Sequence, residues 1–223
     1  MVAMETFDIE QSRVGTGKIF PARIEEMDWI GYHGTSSAYS ARIEAEGFKL
    51  EKPIPIEDID FVIAMAYKVG VDASGAAGFK HLKSISFSPI SELALSYSQP
   101  KSLGGQGLEF VRAAADRVVS GHGSEVDPED SARLVRILAE VGAIRTADPV
   151  IYAVNLQGLG MAQYQTVTKA VHIYQAIPPE RIVAKVRVSS RVDYSLINAD
   201  RHKEAINIMY WSNRRHYIKE LAR

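Results

Sequence analysis

Apolar positions change period several times along this chain, and the changes mark its elements. Trp29 and Ile30 lead into an extended run over 28–33. Thr35, Ser36 and Ser37 are capping residues, and 36–46 then reads as a helix stopped by Gly47. Within 56–69, Ile59, Val62, Ile63 and Ala66 recur at helical spacing, with Glu57 and Asp58 in the first turn, where negative charge suits the helix dipole. Gly70 to Gly78 reads as a small-residue loop and Ile85 to Ser88 as a short strand. Ser88-Pro89 opens another helix, with Glu92 in its first turn and Ala94, Leu95 and Tyr97 along it. Gly104 to Gly107 is a flexible break, Leu108 to Val119 a helix, and Gly121 to Glu125 a loop. Asp127-Pro128-Glu129-Asp130 is a strong helix start, followed by a stripe of Leu134, Val135, Leu138 and Val141. Val150–Leu156, Ala170–Tyr174 and Ile182–Val188 read as strands. Gly158–Thr168 and Ala176–Arg181 connect them, and Ala199–Leu221 reads as a helix.

Strands scattered among helices, with a direct strand-turn-strand connection, predict an α+β fold rather than a doubly wound sheet. The 223 residues suit a single domain spanning 1–223. Within it, 1–27 reads as an irregular N-terminal arm, 104–148 as a helical insertion and 199–223 as a C-terminal helix. Gly15-Thr16-Gly17-Lys18 is not a phosphate loop. Ser12 stands where the first glycine of that motif belongs, and Ile19 where a hydroxyl would ligate magnesium. No Gly-x-Gly-x-x-Gly follows a strand, which argues against dinucleotide binding in the Rossmann manner.

Charge narrows the function classes. Lys plus Arg number 26 against 27 Asp plus Glu, so no global field attracts nucleic acid. The absence of cysteine excludes disulfides and thiolate zinc sites. No apolar run approaches the roughly 20 residues needed to cross a bilayer. Glu5, Asp8 and Glu10 near the start do not form a signal peptide. The expectation is a cytoplasmic protein, or one delivered into a target cell without a classical signal, with no membrane partner.

Candidate chemistry starts at Gly31-Tyr32-His33-Gly34-Thr35, which places a histidine at the mouth of the first strand-to-helix turn beside a glycine that lets a ligand approach the backbone. Two further segments join it: Ser84-Ile85-Ser86-Phe87-Ser88 with Tyr97 behind it, and a strand leading into Ile177-Pro178-Pro179-Glu180-Arg181. In this order they resemble the ADP-ribosyltransferase superfamily, the group of diphtheria-type toxins and poly-ADP-ribose polymerases, over residues 28 to 188. The resemblance implies a split β-sheet core with surrounding helices, and NAD as substrate with no metal. It implies a mono-ADP-ribosyltransferase of the toxin or effector kind, bacterial or phage. Its partners would be a protein or nucleic-acid acceptor and an antitoxin or immunity protein.

Carried over residue by residue, the resemblance implies that His33 bonds the adenosine-side ribose and that Gly34 holds the nicotinamide carboxamide by its backbone, with Thr35 beside it. Tyr97, eleven residues after Ser86, would stack on nicotinamide, while Ser86 and Phe87 support the pocket. In the His-Tyr-Glu branch the position of Ser86 usually carries Tyr. Ser84-x-Ser86 instead looks like the Ser-x-Ser strand of the Arg-Ser-Glu branch, so the chain is a hybrid of the two. The family's glutamate slot falls near Ala170 or Val171, where no acid stands. Three readings remain open there: an alanine substituted for glutamate, a natural pseudoenzyme that binds NAD or ADP-ribose without chemistry, or a variant site using Gln163, Gln165 or Gln175.

Among the other histidines, His81, His122, His202 and His216 lack metal-ligand spacing and read as surface residues. Strand alternation is expected to turn His172 away from the ligand. The C-terminal helix carries Arg201, Lys203, Arg214, Arg215, Lys219 and Arg223 with Tyr210, Trp211 and Tyr217 interleaved. It reads either as an amphipathic helix with a solvated basic face or as a surface for a nucleic-acid acceptor.

Overall fold

The computed structural model describes residues 4–98, 105–159, 163–165, 170–188 and 192–197, without the side chains of 106 and 163–165. In chain order the elements are β1 (Glu5–Asp8), α1 (Ala22–Glu25), β2 (Ile30–Ser36), α2 (Ser40–Glu46), α3 (Ile56–Lys68), α4 (Ser74–His81) and β3 (Ile85–Phe87). They continue with α5 (Ser91–Ser96), α6 (Gln106–His122), α7 (Pro128–Thr146), β4 (Pro149–Asn155), β5 (Gln163–Gln165), β6 (Ala170–Ile173) and β7 (Ile182–Arg187). The fold is α+β, with one sheet in the order β1-β7-β4-β2 and a second in the order β3-β6-β5. All pairings are antiparallel except β1 with β7.

β4 is flanked by strands on both sides and buried on both faces, which is why its sequence is almost continuously apolar. Ile151 and Ala153 face a core shared with Phe20, Ile24 and Leu95. Val150, Tyr152 and Val154 face the opposite core, shared with Phe48, Phe87 and Ile173 of the second sheet. A third core lies mainly between helices and gathers Ile59, Val62, Leu108, Val111, Leu134 and Ile137. The helical insertion therefore does not stand alone, because α6 and α7 share this core with α3 and α4. Asp58 pins α3 to α7. Its buried carboxylate accepts from Arg133 Nη2 at 2.8 Å, and the same guanidinium lies 4.2 Å from the Phe61 ring centroid.

Several sequence expectations need correction. The arm over 1–27 is not irregular throughout, since Glu5 pairs with Ala184 in a parallel ladder and Phe20 and Ile24 are core residues. Glu25 anchors it, accepting from the Phe20 amide at 2.8 Å and from the Tyr32 hydroxyl at 2.7 Å. The first strand begins at Ile30, after Trp29 in the left-handed region at φ 63°, and runs on to Ser36, so His33 lies in mid-strand. Ser36 does act as a cap, its Oγ accepting from the Ala38 amide, but for a 3-10 turn that precedes α2.

The loop expected over 70–78 instead gives way to a helix over 74–81, with Asp72 Oδ1 accepting from the Ser74 amide at 2.9 Å. The helix expected at Ser88-Pro89 starts at Ser91 instead, because Ser88 Oγ accepts from the Ile90 amide and closes a turn first. In α7, Ile137 rather than Val135 faces the core, and Val135 is exposed. The loop over 158–168 contains β5. The C-terminal helix expected over 199–223 lies outside the described residues.

Gly15-Thr16-Gly17-Lys18 is a loop, and it does surround an anion. Gly15 and Gly17 have φ of 91° and 86°, and their amides donate to the two carboxylate oxygens of Glu92, which is fully buried. The two glycines supply the left-handed backbone that aims both amides at one carboxylate. Glu92→Gln removes one of the two acceptor oxygens and leaves a buried amide unpaired. A loss of about 1–3 kcal/mol is expected, read as a lower denaturant midpoint with an unchanged m value. An unchanged midpoint would contradict the role assigned to this carboxylate.

Candidate functional site

The site is built where the two sheets meet. Tyr32 of β2 and Ser88, just past β3, exchange two backbone hydrogen bonds of 2.8 Å. Since Tyr32 spends its amide and carbonyl on Ser88, it forms a non-hydrogen-bonded pair with Ala153 of β4, and strand alternation gives Gly34 the same orientation. The Gly34 N–H and C=O therefore point to the outer edge of β2, beyond the single bridge, and have no partner among the described residues. The glycine itself is demanded by packing. A Cβ at Gly34 would stand 2.1 Å from the carbonyl oxygen of Ala94 in α5.

A cleft of about 560 Å³ opens along this edge, a volume typical of small-molecule sites. His33, Gly34, Thr35, Ser86, Phe87, Tyr97 and Ala170 all line it. The structure thus brings together residues that lie up to 137 positions apart (170 minus 33). Gln175 is not among them; it is exposed beyond the end of β6, where the chain turns toward the Phe48–Ile177 bridge. Gln163 and Gln165 stand in register opposite His172 and Ala170.

His33 is held from three sides. Its Nδ1 donates to the Ser86 carbonyl at 2.8 Å, and its ring lies 5.0 Å from that of Phe48 and 5.6 Å from that of Phe87. Burial pushes its pKa below the ordinary histidine value, with the Ser86 carbonyl opposing the shift more weakly. The neutral ring thus carries its proton on Nδ1, and Nε2 remains an acceptor suited to a ligand hydroxyl. Tyr97 sits at the C-terminal end of α5, half-buried, with its phenol pKa raised by burial.

The structure corrects the expectation for His172, which faces the cleft. Its Nδ1 lies 3.0 Å from Ser84 Oγ and 3.2 Å from Ser86 Oγ, and burial lowers its pKa. It stands two residues after Ala170 on β6, so period-two alternation puts both on one face. That signal was in the sequence, but which face meets the cleft was not. Tyr39 was also missed. It lines the cleft, and its hydroxyl is buried with no hydrogen-bond partner among the described residues.

Arg42, Lys49 and Lys52 give the cleft a cationic lip. Among the described residues Glu51 is the one acidic side chain lining it, and it is exposed and paired with Arg42. Ala170, buried at the start of β6, presents a methyl group where a carboxylate was sought. Among the described residues no cluster of three His, Cys, Asp or Glu could hold a metal ion, and no helix is long and apolar enough to cross a membrane.

Both cleft histidines bear on acid stability. An unfolded histidine takes up its proton near 6.5, whereas His33 and His172 resist protonation until lower pH. Below 6.5 the unfolded chain holds more protons, so the stability these rings contribute is present above that pH. It is lost as pH falls from 6.5 toward the folded pKa values. A ring-resonance titration over about pH 5–8 is expected to give midpoints below 6.5 for both, with the His33 proton on Nδ1. A midpoint above 6.5 for either ring would overturn its placement. No family model, curated protein or solved structure matches this chain.

Proposed function

We propose that this cleft binds NAD and that the chain is built on the plan of a mono-ADP-ribosyltransferase, which passes ADP-ribose to a macromolecular acceptor and releases nicotinamide. One observation carries the reading: the open backbone edge of Gly34, the neutral His33 ring, Ser86 and Tyr97 line a single cleft. An amide group such as the nicotinamide carboxamide offers one donor side and one acceptor side. A strand edge with a free N–H and C=O is complementary to it. Tyr97 supplies an aromatic face for the pyridine ring, and His33 Nε2 accepts from a ribose hydroxyl. Holding the leaving group in one orientation is the positional part of catalysis.

The chemical part needs a carboxylate near the ribose, to stabilise the positive charge that develops as the glycosidic bond breaks. Position 170 is the place for it under this reading, and this chain has alanine there. That observation favours a second reading, in which the protein binds NAD or ADP-ribose without turning it over and acts through a partner.

Calorimetric titration tests the binding. Tyr97→Ala is expected to weaken NAD by about 5- to 100-fold, the usual range for losing one aromatic stack, and His33→Ala to weaken it as well. Unchanged affinity in both variants would remove the assignment. Nicotinamide release separates the two readings. Ala170→Glu is expected to raise it by roughly 100-fold or more if the site is that of a transferase. No gain in a variant that still binds NAD would leave the binding module.

A further inference from the structure

The cleft does not end at the strand edge. Its far wall is made by α4 and α6, which lock together through two reciprocal contacts. The Phe110 ring of α6 lies over Gly75 of α4, where a Cβ would stand 2.7 Å from a ring carbon. The Phe79 ring of α4 lies over Gly107 of α6, where a Cβ would stand 1.9 Å away. Glycine is a poor helix former, and at these two helical positions it makes room for a ring. Each phenylalanine is thereby clamped on one face by backbone. Phe110 still keeps 41% of its surface exposed, and it opens on the cleft. Gly78 and Gly105 also line this wall, and among the described residues nothing stands within 4 Å of a Cβ built on either. The result is an apolar surface whose most exposed ring is Phe110.

Charge and distance say what it faces. Lys52 Nζ sits over the Phe79 ring, 4.5 Å from its centroid, and donates to the Leu82 carbonyl, which leaves Phe110 as the open part of the surface and puts a cation beside it. Phe48, four residues earlier, rests on His33. The chain from Phe48 to Lys52 therefore joins the two ends of the cleft and spans at most about 14 Å of backbone. Lys49 lines the cleft between them. A planar pocket at one end, a planar platform at the other and cations between match a molecule with two flat rings joined by phosphates.

We propose that the Phe79–Phe110 platform is the adenine subsite of the cleft, so that the helical unit is part of the ligand-binding machinery. This rests on the NAD reading above. Base stacking on the exposed Phe110 face supplies the affinity, and the Lys52 ammonium stands near the phosphates.

The test uses AMP and nicotinamide mononucleotide as separate probes of the two halves, alongside NAD, in calorimetric titrations. Phe110→Ala is expected to weaken AMP and NAD by about 5- to 100-fold and to leave nicotinamide mononucleotide unchanged. Gly78→Leu serves as the second variant, since it improves helix propensity and projects only into open space. It is expected to block AMP and NAD while the fold persists. If NAD binding is lost in Tyr97→Ala but neither Phe110→Ala nor Gly78→Leu affects AMP or NAD, the platform is overturned and the NAD reading stands. If AMP binds and is lost in both variants while nicotinamide mononucleotide never binds, the platform stands and the NAD reading falls. If the unaltered protein binds neither AMP nor NAD, both fall.

Discussion

Tyr32 and Ser88 exchange the backbone hydrogen bonds that join the four-stranded sheet to the three-stranded one. A longer ladder there would have zipped β2 to β3 along its length and consumed the edge on which Gly34 lies. No bridge at all would have left the sheets free to separate. With a single pair the sheets are held at one point and diverge beyond it. Among the described residues, the backbone groups of the next outward-facing residue are then left without partners at the mouth of a cleft. Unpaired backbone polar groups are costly when buried, so the opening to solvent and the free edge of β2 belong together.

The surroundings of that bridge are tied down by internal anions. Glu25 accepts from Tyr32 itself and from the Phe20 amide, and Glu92 gathers the amides of Gly15 and Gly17. Both carboxylates belong to the layer that packs α1, α5 and the N-terminal arm on one face of the large sheet. The carbonyl of Ala94, in that same α5, excludes a side chain at Gly34. The glycine beside His33 is therefore fixed by helix packing, and its usefulness to a ligand follows from the backbone direction that packing leaves it.

Much of the architecture was legible in the sequence, for reasons that differ by element. α3 and α7 are long enough for helical spacing to show, and β4 is apolar on both faces because strands flank it on both sides. β1 has only four residues and pairs with a strand some 180 positions away, so nothing local marks it. The helix over 74–81 was hidden by its own glycines, which look like loop residues until the rings of Phe79 and Phe110 are seen to need the space. His33, Gly34, Ser86 and Tyr97 were legible through the order of short motifs. Tyr39, His172 and Phe110 were not, because alternation and helical periodicity say which residues share a face and not what that face meets. Gln175 failed for a related reason: β6 ends at Ile173, and the chain has left the cleft before reaching it.

Under the proposed reading, the alanine at position 170 separates two properties that a transferase would combine. Orientation of a ligand would depend on the bridge, the glycine edge, the neutral imidazole and the aromatic faces, and all of these derive from packing that a carboxylate at 170 would not create. Charge stabilisation would depend on the group at 170, which sits buried at the start of β6 opposite Gln165. An uncompensated carboxylate in such a place would be disfavoured by desolvation, so a glutamate there would need hydrogen-bond donors within reach. Ser86 lies on β3, the strand paired with β6, and Ser84 just precedes it; both hydroxyls already stand against His172. That polar cluster is redundant for a purely apolar pocket but suited to receiving a charged neighbour. Under the proposed reading the second sheet would supply the polar surroundings of a carboxylate at 170, and the first sheet and the helices the surfaces that orient the ligand.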